Sequence, residues 1–303
     1  MSSRVVFFGN ERLVSGLKHT ETPILRGLIE RGYEVAAIVA SHTDATSRNA
    51  RRLEVASIAE EYHIPLLTPK RPGDIEQELK NFKADFAVLA AYGRIIPQRI
   101  IDVFSPIGII NIHPSLLPRH RGPTPIETTI LAGDTVAGVS IMQLTKGMDE
   151  GAVYGRVECH LNGNETKFEL YDQLSKLGSE LFFELLPGIL SSCISAEPQQ
   201  IDGVSYTTLI QKQDGIIDPK TDAAEVINRK IRAYLSYPKT KLCYQNSDVI
   251  LTAAKVVEMP LDHELVIPCK DNTYLLVESL IAPNGKSMSG SAYLRGLANR
   301  LKD

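Results

Sequence analysis

The sequence predicts an α/β protein with a parallel sheet covered on both faces, followed by a small β-barrel. Strand-like and helix-like runs alternate through the first half, whereas the final third breaks into short β-like runs between turn residues. A length of 303 residues suits two unequal domains rather than one core. Arg4 to Phe8 reads as a short buried strand ending at Gly9. Thr22-Pro23 opens a helix with Ile24, Leu25, Leu28 and Ile29 at helical spacing, closed by Gly32. Glu34 to Ala40 is the second strand, and a polar loop from Ser41 leads to Arg48, Arg51 and Arg52 before a helix carrying Leu53, Val55, Ile58 and Ala59. Ile64 to Leu67, Phe86 to Ala90 and Ile107 to Ile112 supply three more strands, with helical segments near 74–82 and 97–103 between them. Gly138 to Leu144 is a further strand, 165–190 a helix, and Pro198 to Gly203 a polar, turn-prone linker. Beyond it, Ala223 to Ala233 has helical period, and Thr240 to Tyr244, Val249 to Leu251, Leu265 to Pro268 and Tyr274 to Val277 are short β-like runs.

Composition excludes several classes. Hydrophobic residues at 43% and charged residues at 23% are ordinary for a globular chain, which rules against disorder and fibrous folds. No stretch approaches 18 uncharged apolar residues, and the N-terminus carries no leader pattern. Cys159, Cys193, Cys243 and Cys269 lie far apart, with no Cys-x-x-Cys pair and no His at ligand spacing, so neither a disulfide framework nor a zinc site is expected. Net charge is −3, with 20 Lys/Arg against 25 Asp/Glu over residues 1–205 and 13 against 11 beyond, so the tail is the more basic part.

The chemistry concentrates at the end of the fifth strand. Side chains alternate faces along a strand, so Asn111 and His113 share one face while Ile110 and Ile112 share the other. The carboxyl end of a parallel strand is where open α/β sheets bind ligands, although a satisfied polar pair in a core has the same pattern. Asp149, in the turn Lys146-Gly147-Met148-Asp149-Glu150-Gly151, is the third candidate, and a solvated turn aspartate looks identical in sequence. An amide, an imidazole and a carboxylate together suit transfer of an acyl group to an amine: an oxyanion donor, a proton shuttle and a group that sets the shuttle. An amine acceptor needs no Ser or Cys nucleophile. Arg121 either lines such a site or anchors its turn.

Asn111-x-His113, the run Ser115-Leu116-Leu117-Pro118-x-x-Arg121-Gly122 and the distal Gly147-x-Asp149-x-Gly151 resemble the signature of folate-dependent formyltransferases, which move the formyl group of 10-formyltetrahydrofolate to an amine. Upstream, Ala91-Tyr92-Gly93-Arg94-Ile95-Ile96-Pro97 is similar to a run that contributes to the family's folate pocket. The similarity continues through Ala132-Gly133-Asp134, Tyr237-Pro238 and Lys286-Ser287-Met288-Ser289, and is closest to the members that act on methionyl-initiator tRNA.

The resemblance implies a Rossmann-like formyltransferase domain over 1–197, a linker over 198–207 and an OB-like, tRNA-binding domain over 208–303. It implies that Asn111 hydrogen-bonds the developing formyl oxyanion, that His113 is general acid or electrostatic stabiliser, and that Asp149 orients His113 and helps take the amine proton. Folate contacts fall to Ala91, Tyr92, Gly93, Ile95, Ser115, Leu116, Leu117, Pro118 and Gly147, and acceptor contacts to Arg48, Arg51, Arg52 and Arg121. The expected partners are methionyl-initiator tRNA and the folate formyl donor, with no metal and no membrane, for a monomer in the cytoplasm. Three features depart from the family, one of them a second domain that is short between Val257 and Leu265. The first loop reads Gly9-Asn10-Glu11-Arg12-Leu13 in place of Gly-Thr-Pro with an acidic residue and Phe, and the arginine loop is short. An amino-sugar nucleotide or another small amine as acceptor, or a binding module that has lost turnover, are the competing readings; three filled catalytic positions argue against the last. A dehydrogenase is disfavoured because Gly9-Asn10-Glu11 lacks the glycine-rich phosphate turn.

Overall fold

The protein is described here by a computed structural model covering residues 3–12, 14, 16–17, 20–41 and 53–300. It divides into two compact units. The first holds residues up to Pro125, Val136–His160 and Tyr171–Thr208; the second holds Ile126–Thr135, Leu161–Leu170 and the residues from Leu209 onward.

In the first unit, β1 (Arg4–Gly9), α1 (Pro23–Glu30), β2 (Glu34–Val39), α2 (Glu54–Glu61), β3 (Leu66–Leu67), α3 (Glu76–Phe82), β4 (Phe86–Ala90), α4 (Gln98–Ile101) and β5 (Ile109–His113) alternate as the sequence predicts. After them along the chain come α5 (Pro125–Ala132), which from Ile126 onward belongs to the second unit, then β6 (Val136–Gln143), β7 (Val153–His160) and the long α6 (Lys167–Leu190), which joins the first unit from Tyr171. The sheet order is β3-β2-β1-β4-β5-β6-β7. The first five strands are parallel, whereas β6 and β7 run antiparallel, a reversal that the repeating strand–helix pattern did not announce. Val5 to Phe8 are fully buried, so both faces of β1 are covered, as its unbroken apolar run requires. On one face, Val6 and Phe8 join Leu79, Ile100 and Phe104 in a single cluster.

The close pairing of β1 with β4 depends on Gly9. A Cβ there would stand 1.9 Å from the Ala90 carbonyl oxygen, and its φ of 139° disfavours other residues. Immediately after it, Glu11 turns into the interior and supplies what α1 lacks. Thr22 makes no side-chain cap; instead the Glu11 carboxylate accepts the N–H groups of Ile24 (3.1 Å) and Leu25 (2.8 Å). The Tyr171 hydroxyl, from α6, donates to the Glu11 carbonyl at 2.7 Å. Burial pushes the Glu11 carboxyl up from 4.5 to about 7, against the opposing pull of those two N–H groups. The folded protein therefore holds a proton that the unfolded chain releases near pH 4.5, so the contribution of Glu11 to stability is fully present below that pH and is lost as pH rises through about 7. Glu11→Gln is expected to remove this contribution; a change in urea midpoint between pH 5 and pH 7.5 that is the same in the variant as in the parent protein would contradict it.

In the second unit, α7 (Ala224–Ala233) packs Ile227 and Ile231 onto an antiparallel sheet of β8 (Thr240–Tyr244), β9 (Ser247–Val257), β10 (Val266–Pro268), β11 (Tyr274–Ile281) and β12 (Ser287–Ser289), with α8 (Gly290–Arg300) at the end. The order β10-β11-β9-β8, with β12 on β11, is a curled half-barrel, the form the sequence expectation of a small barrel takes here. Inside this unit Glu127 of α5 and Lys167 of α6 are buried together, Nζ to Oε1 3.8 Å, and Lys167 also donates to the Tyr237 carbonyl at 3.4 Å. Burial raises the Glu127 carboxyl and lowers the Lys167 ammonium, each opposed by the other's charge.

Candidate active site

β1 lies between β2 and β4, so the connections leave β1 and β4 in opposite directions and open a crevice beyond their carboxyl ends. β5 ends at the rim of that crevice with Asn111 and His113 side by side on one face, both buried. The loop from β6 to β7 arches over them. It is closed by the Gln143 N–H to the Ala152 carbonyl (2.8 Å), and Gly151 is essential to it because a Cβ would stand 1.8 Å from the Gln143 carbonyl oxygen. Asp149 adopts the left-handed conformation, φ 51°, which aims its carboxylate inward.

The three predicted catalytic side chains come together. Asp149 Oδ2 accepts the Gly122 N–H at 2.8 Å and lies 3.7 Å from His113 Nδ1, while Oδ1 lies 3.5 Å from Asn111 Nδ2. These two distances exceed a tight hydrogen bond, a spacing common in catalytic groups before substrate tightens the site. His113 Nε2 is 3.0 Å from the His120 carbonyl oxygen. A carbonyl only accepts, so Nε2 carries a hydrogen, and the exchangeable position is Nδ1, which faces the carboxylate.

The turn after β5 is laced from beneath. Ser140 of β6 donates to the Ser115 carbonyl (2.7 Å) and accepts the Leu117 N–H (3.1 Å), and Arg156 of β7 donates to the Leu117 carbonyl (2.8 Å). Ser115 spends its own hydroxyl on the Arg119 carbonyl, and Leu117 is buried against Met142 and Val153. Leu116 and Pro118 are half-buried beside them. At the end of β4, Ala91 (φ 55°) and Gly93 (φ 72°) turn the chain, and Ile95 is 80% exposed. Tyr92 is buried edge-on to Phe8, ring centroids 5.5 Å apart, and burial pushes its hydroxyl up to about 12. Gly147 packs against the Glu150 side chain.

Arg121 is buried and fully engaged: its guanidinium meets Gln199 Oε1 at 2.8 and 3.1 Å, the Tyr206 hydroxyl at 3.1 Å and Glu150 at 3.7 Å. Of its two sequence readings, those contacts describe the anchor of the turn. Arg48, Arg51 and Arg52 lie outside the described residues. Ser140, Arg156 and Gln199 were missed by sequence reasoning; each reaches the site from a distant strand or from the linker, and no local pattern marks them. Among the described residues no helix is long and apolar enough to cross a membrane.

A family model described as formyl transferase matches residues 5–186, and one described as its C-terminal domain matches 209–298. The chain is 34% identical over 268 residues to the methionyl-tRNA formyltransferase of Coxiella burnetii (87% of this chain, 82% of that protein). It is 33% identical over 295 residues to that of Paramagnetospirillum magneticum (93% and 95%). Among solved structures it resembles a Helicobacter canadensis N-formyltransferase in complex with folinic acid and dTDP-3-aminofucose, with TM-score 0.69, 17% identity and coverage of 91% of this chain and 99% of that one. It also resembles HypX from Aquifex aeolicus in complex with tetrahydrofolic acid, with TM-score 0.66 and 17% identity; it matches over 97% of its own length but spans only 47% of that chain. With both family models matched in order and a third of the residues shared across most of these relatives' length, the chain belongs to the formyl transferase family, alongside the methionyl-tRNA formyltransferases.

Proposed function

We propose that the chain transfers the formyl group of 10-formyltetrahydrofolate to the amino group of methionyl-initiator tRNA, with Asn111, His113 and Asp149 as its catalytic residues. The observation that carries this reading is the meeting of those three side chains at the sheet's open rim, 3.5 and 3.7 Å from amide and ring to carboxylate. Asn111 Nδ2 donates to the formyl oxygen as negative charge develops there. His113 keeps its Nε2 hydrogen on the His120 carbonyl and holds the exchangeable proton at Nδ1, so its charged form sets a cation beside the reacting oxygen. Asp149 stabilises that cation and receives the proton lost by the attacking amine, which returns to the departing nitrogen of the donor; one N–C bond forms as another breaks.

The folate would rest on the rim, where the Ala91–Gly93 turn offers backbone groups and Ile95 and Leu116 offer apolar side chains. Tyr92, Ser115, Leu117, Pro118 and Gly147 shape the wall behind it. Arg48, Arg51 and Arg52, with the second unit, would meet the tRNA. The testing experiment incubates the protein with 10-formyltetrahydrofolate and either charged initiator tRNA or an amino-sugar nucleotide. Transfer to the charged tRNA at a kcat/KM at least a hundredfold above that for the small amine is expected. The reverse preference would overturn the acceptor, and no transfer to either would overturn the enzyme.

A further inference from the structure

We infer that Gln199, in the segment between the two matched family domains, is a positioning residue for formyl transfer that fixes the backbone on which Asp149 is carried. Its side-chain amide is completely used. Nε2 donates to the carbonyls of Asp149 (2.7 Å) and Gly151 (2.8 Å), while Oε1 accepts from Arg121 Nη2 (2.8 Å) and Nε (3.1 Å). Two donors against two carbonyls and two lone pairs against a guanidinium leave one assignment of the amide, so neither end can be exchanged.

The two ends belong to two different parts of the site. Asp149 and Gly151 lie in the loop over β5, and Arg121 lies in the turn that follows His113. Gln199 therefore ties the carboxylate's loop to the imidazole's turn, and among the described residues the other tie between them at the carboxylate is the Gly122 N–H on Asp149 Oδ2. The flanking chain reinforces the connection. Glu197 pairs with Val153 through both backbone hydrogen bonds (2.8 and 2.9 Å), and Ser205 and Thr207 bond along the turn to the backbone of Arg121 (2.9 and 2.7 Å). The His120 N–H, next to the carbonyl that holds His113, is received by the Ser205 hydroxyl at 2.9 Å. Residues 197–208 thus form a strap laid across both halves of the site, with Gln199 its only side chain bonded to the Asp149 backbone. A displacement of about 1 Å in a catalytic group costs up to roughly 10²-fold in rate, and the long Asp149–His113 separation leaves little to lose.

The inference rests on the catalytic role proposed for Asp149, and the test separates the two. Gln199→Glu keeps the acceptor for Arg121 but turns an oxygen toward two carbonyls; Gln199→Met, of similar volume, removes all four bonds and serves should the first fail to fold. In formyl transfer to charged initiator tRNA, either variant is expected to lower kcat about 10- to 100-fold with the KM for 10-formyltetrahydrofolate changed less than about twofold. In an Asp149→Asn background the same substitution should add less than about twofold, because a residue acting through Asp149 has nothing further to remove. Wild-type kcat in both Gln199 variants, or a further tenfold loss in the Asp149→Asn background, overturns the positioning role. Near-wild-type activity of Asp149→Asn itself overturns the catalytic reading beneath it.

Discussion

His113→Ala is expected to leave the protein folded while lowering kcat for formyl transfer at least a hundredfold, with Asn111→Ala and Asp149→Ala close behind. The magnitudes follow from the roles. Loss of a single oxyanion donor costs ~10²–10³ in rate, and loss of acid–base help about 10²–10⁴. The effect should fall on kcat rather than on the KM for either substrate, because the contacts matter most as charge develops. Steady-state rates on charged initiator tRNA decide it, with thermal unfolding as the control for folding. A residue whose alanine variant turns over near the wild-type rate leaves the mechanism. The three losses should not add, since amide, ring and carboxylate share one charge distribution: the triple variant should be little worse than the worst single one.

The largest effect on stability is expected away from the chemistry, at the buried Lys167–Glu127 pair. Lys167→Met removes the cation and strands a carboxylate that is only 4% exposed and whose Oε2 has no hydrogen-bond partner among the described residues. Breaking such a pair from one side costs about 3–5 kcal/mol. Replacing both members with apolar residues of similar size, Lys167→Met with Glu127→Leu, should recover that loss to within about 1 kcal/mol, because the desolvation of two charges disappears together. Urea unfolding of the two variants beside the parent protein is the measurement. A single variant as stable as the parent would mean that the pair does not hold this part of the fold.

The alternation of apolar and polar runs made β1, β2, β4 and α1 readable almost to the residue, because strands buried on both faces have to be continuous in Val, Ile and Phe. The pair on β5 was readable for a related reason: period two alone sets Asn111 and His113 on one face. Four elements escaped, one of them β12, whose Ser287-Met288-Ser289 is too short to show a period. In α5 the buried side includes Glu127 and Thr129 beside Ile126 and Ile130, so no apolar stripe stands out. In β7 and α8, polar and small residues outnumber the apolar ones that would mark a period. The strand β9 was seen only at its apolar start, whereas it runs on through Thr252 to Val257, where pairing with β11 rather than apolar character holds it. The capping of α1 was equally invisible, since the carboxylate that does it, on Glu11, sits 13 and 14 positions before the N–H groups it receives. Local sequence proposes caps from neighbours; here the tertiary fold supplied one. Gln199 illustrates the same limit at the site, with partners 48 to 78 positions away.

The seven-stranded sheet ends at one side in β3, only two residues long, and at the other in β7, whose outward positions include the exposed Arg156, Glu158 and His160. Two residues give too few backbone groups for an incoming chain to align on, and like charges would be forced together if a second β7 were laid beside the first. Each rim is thus a poor template for edge-to-edge growth. A nascent or partly opened molecule gains protection from fibrous self-association through the same outer strand that completes the catalytic loop.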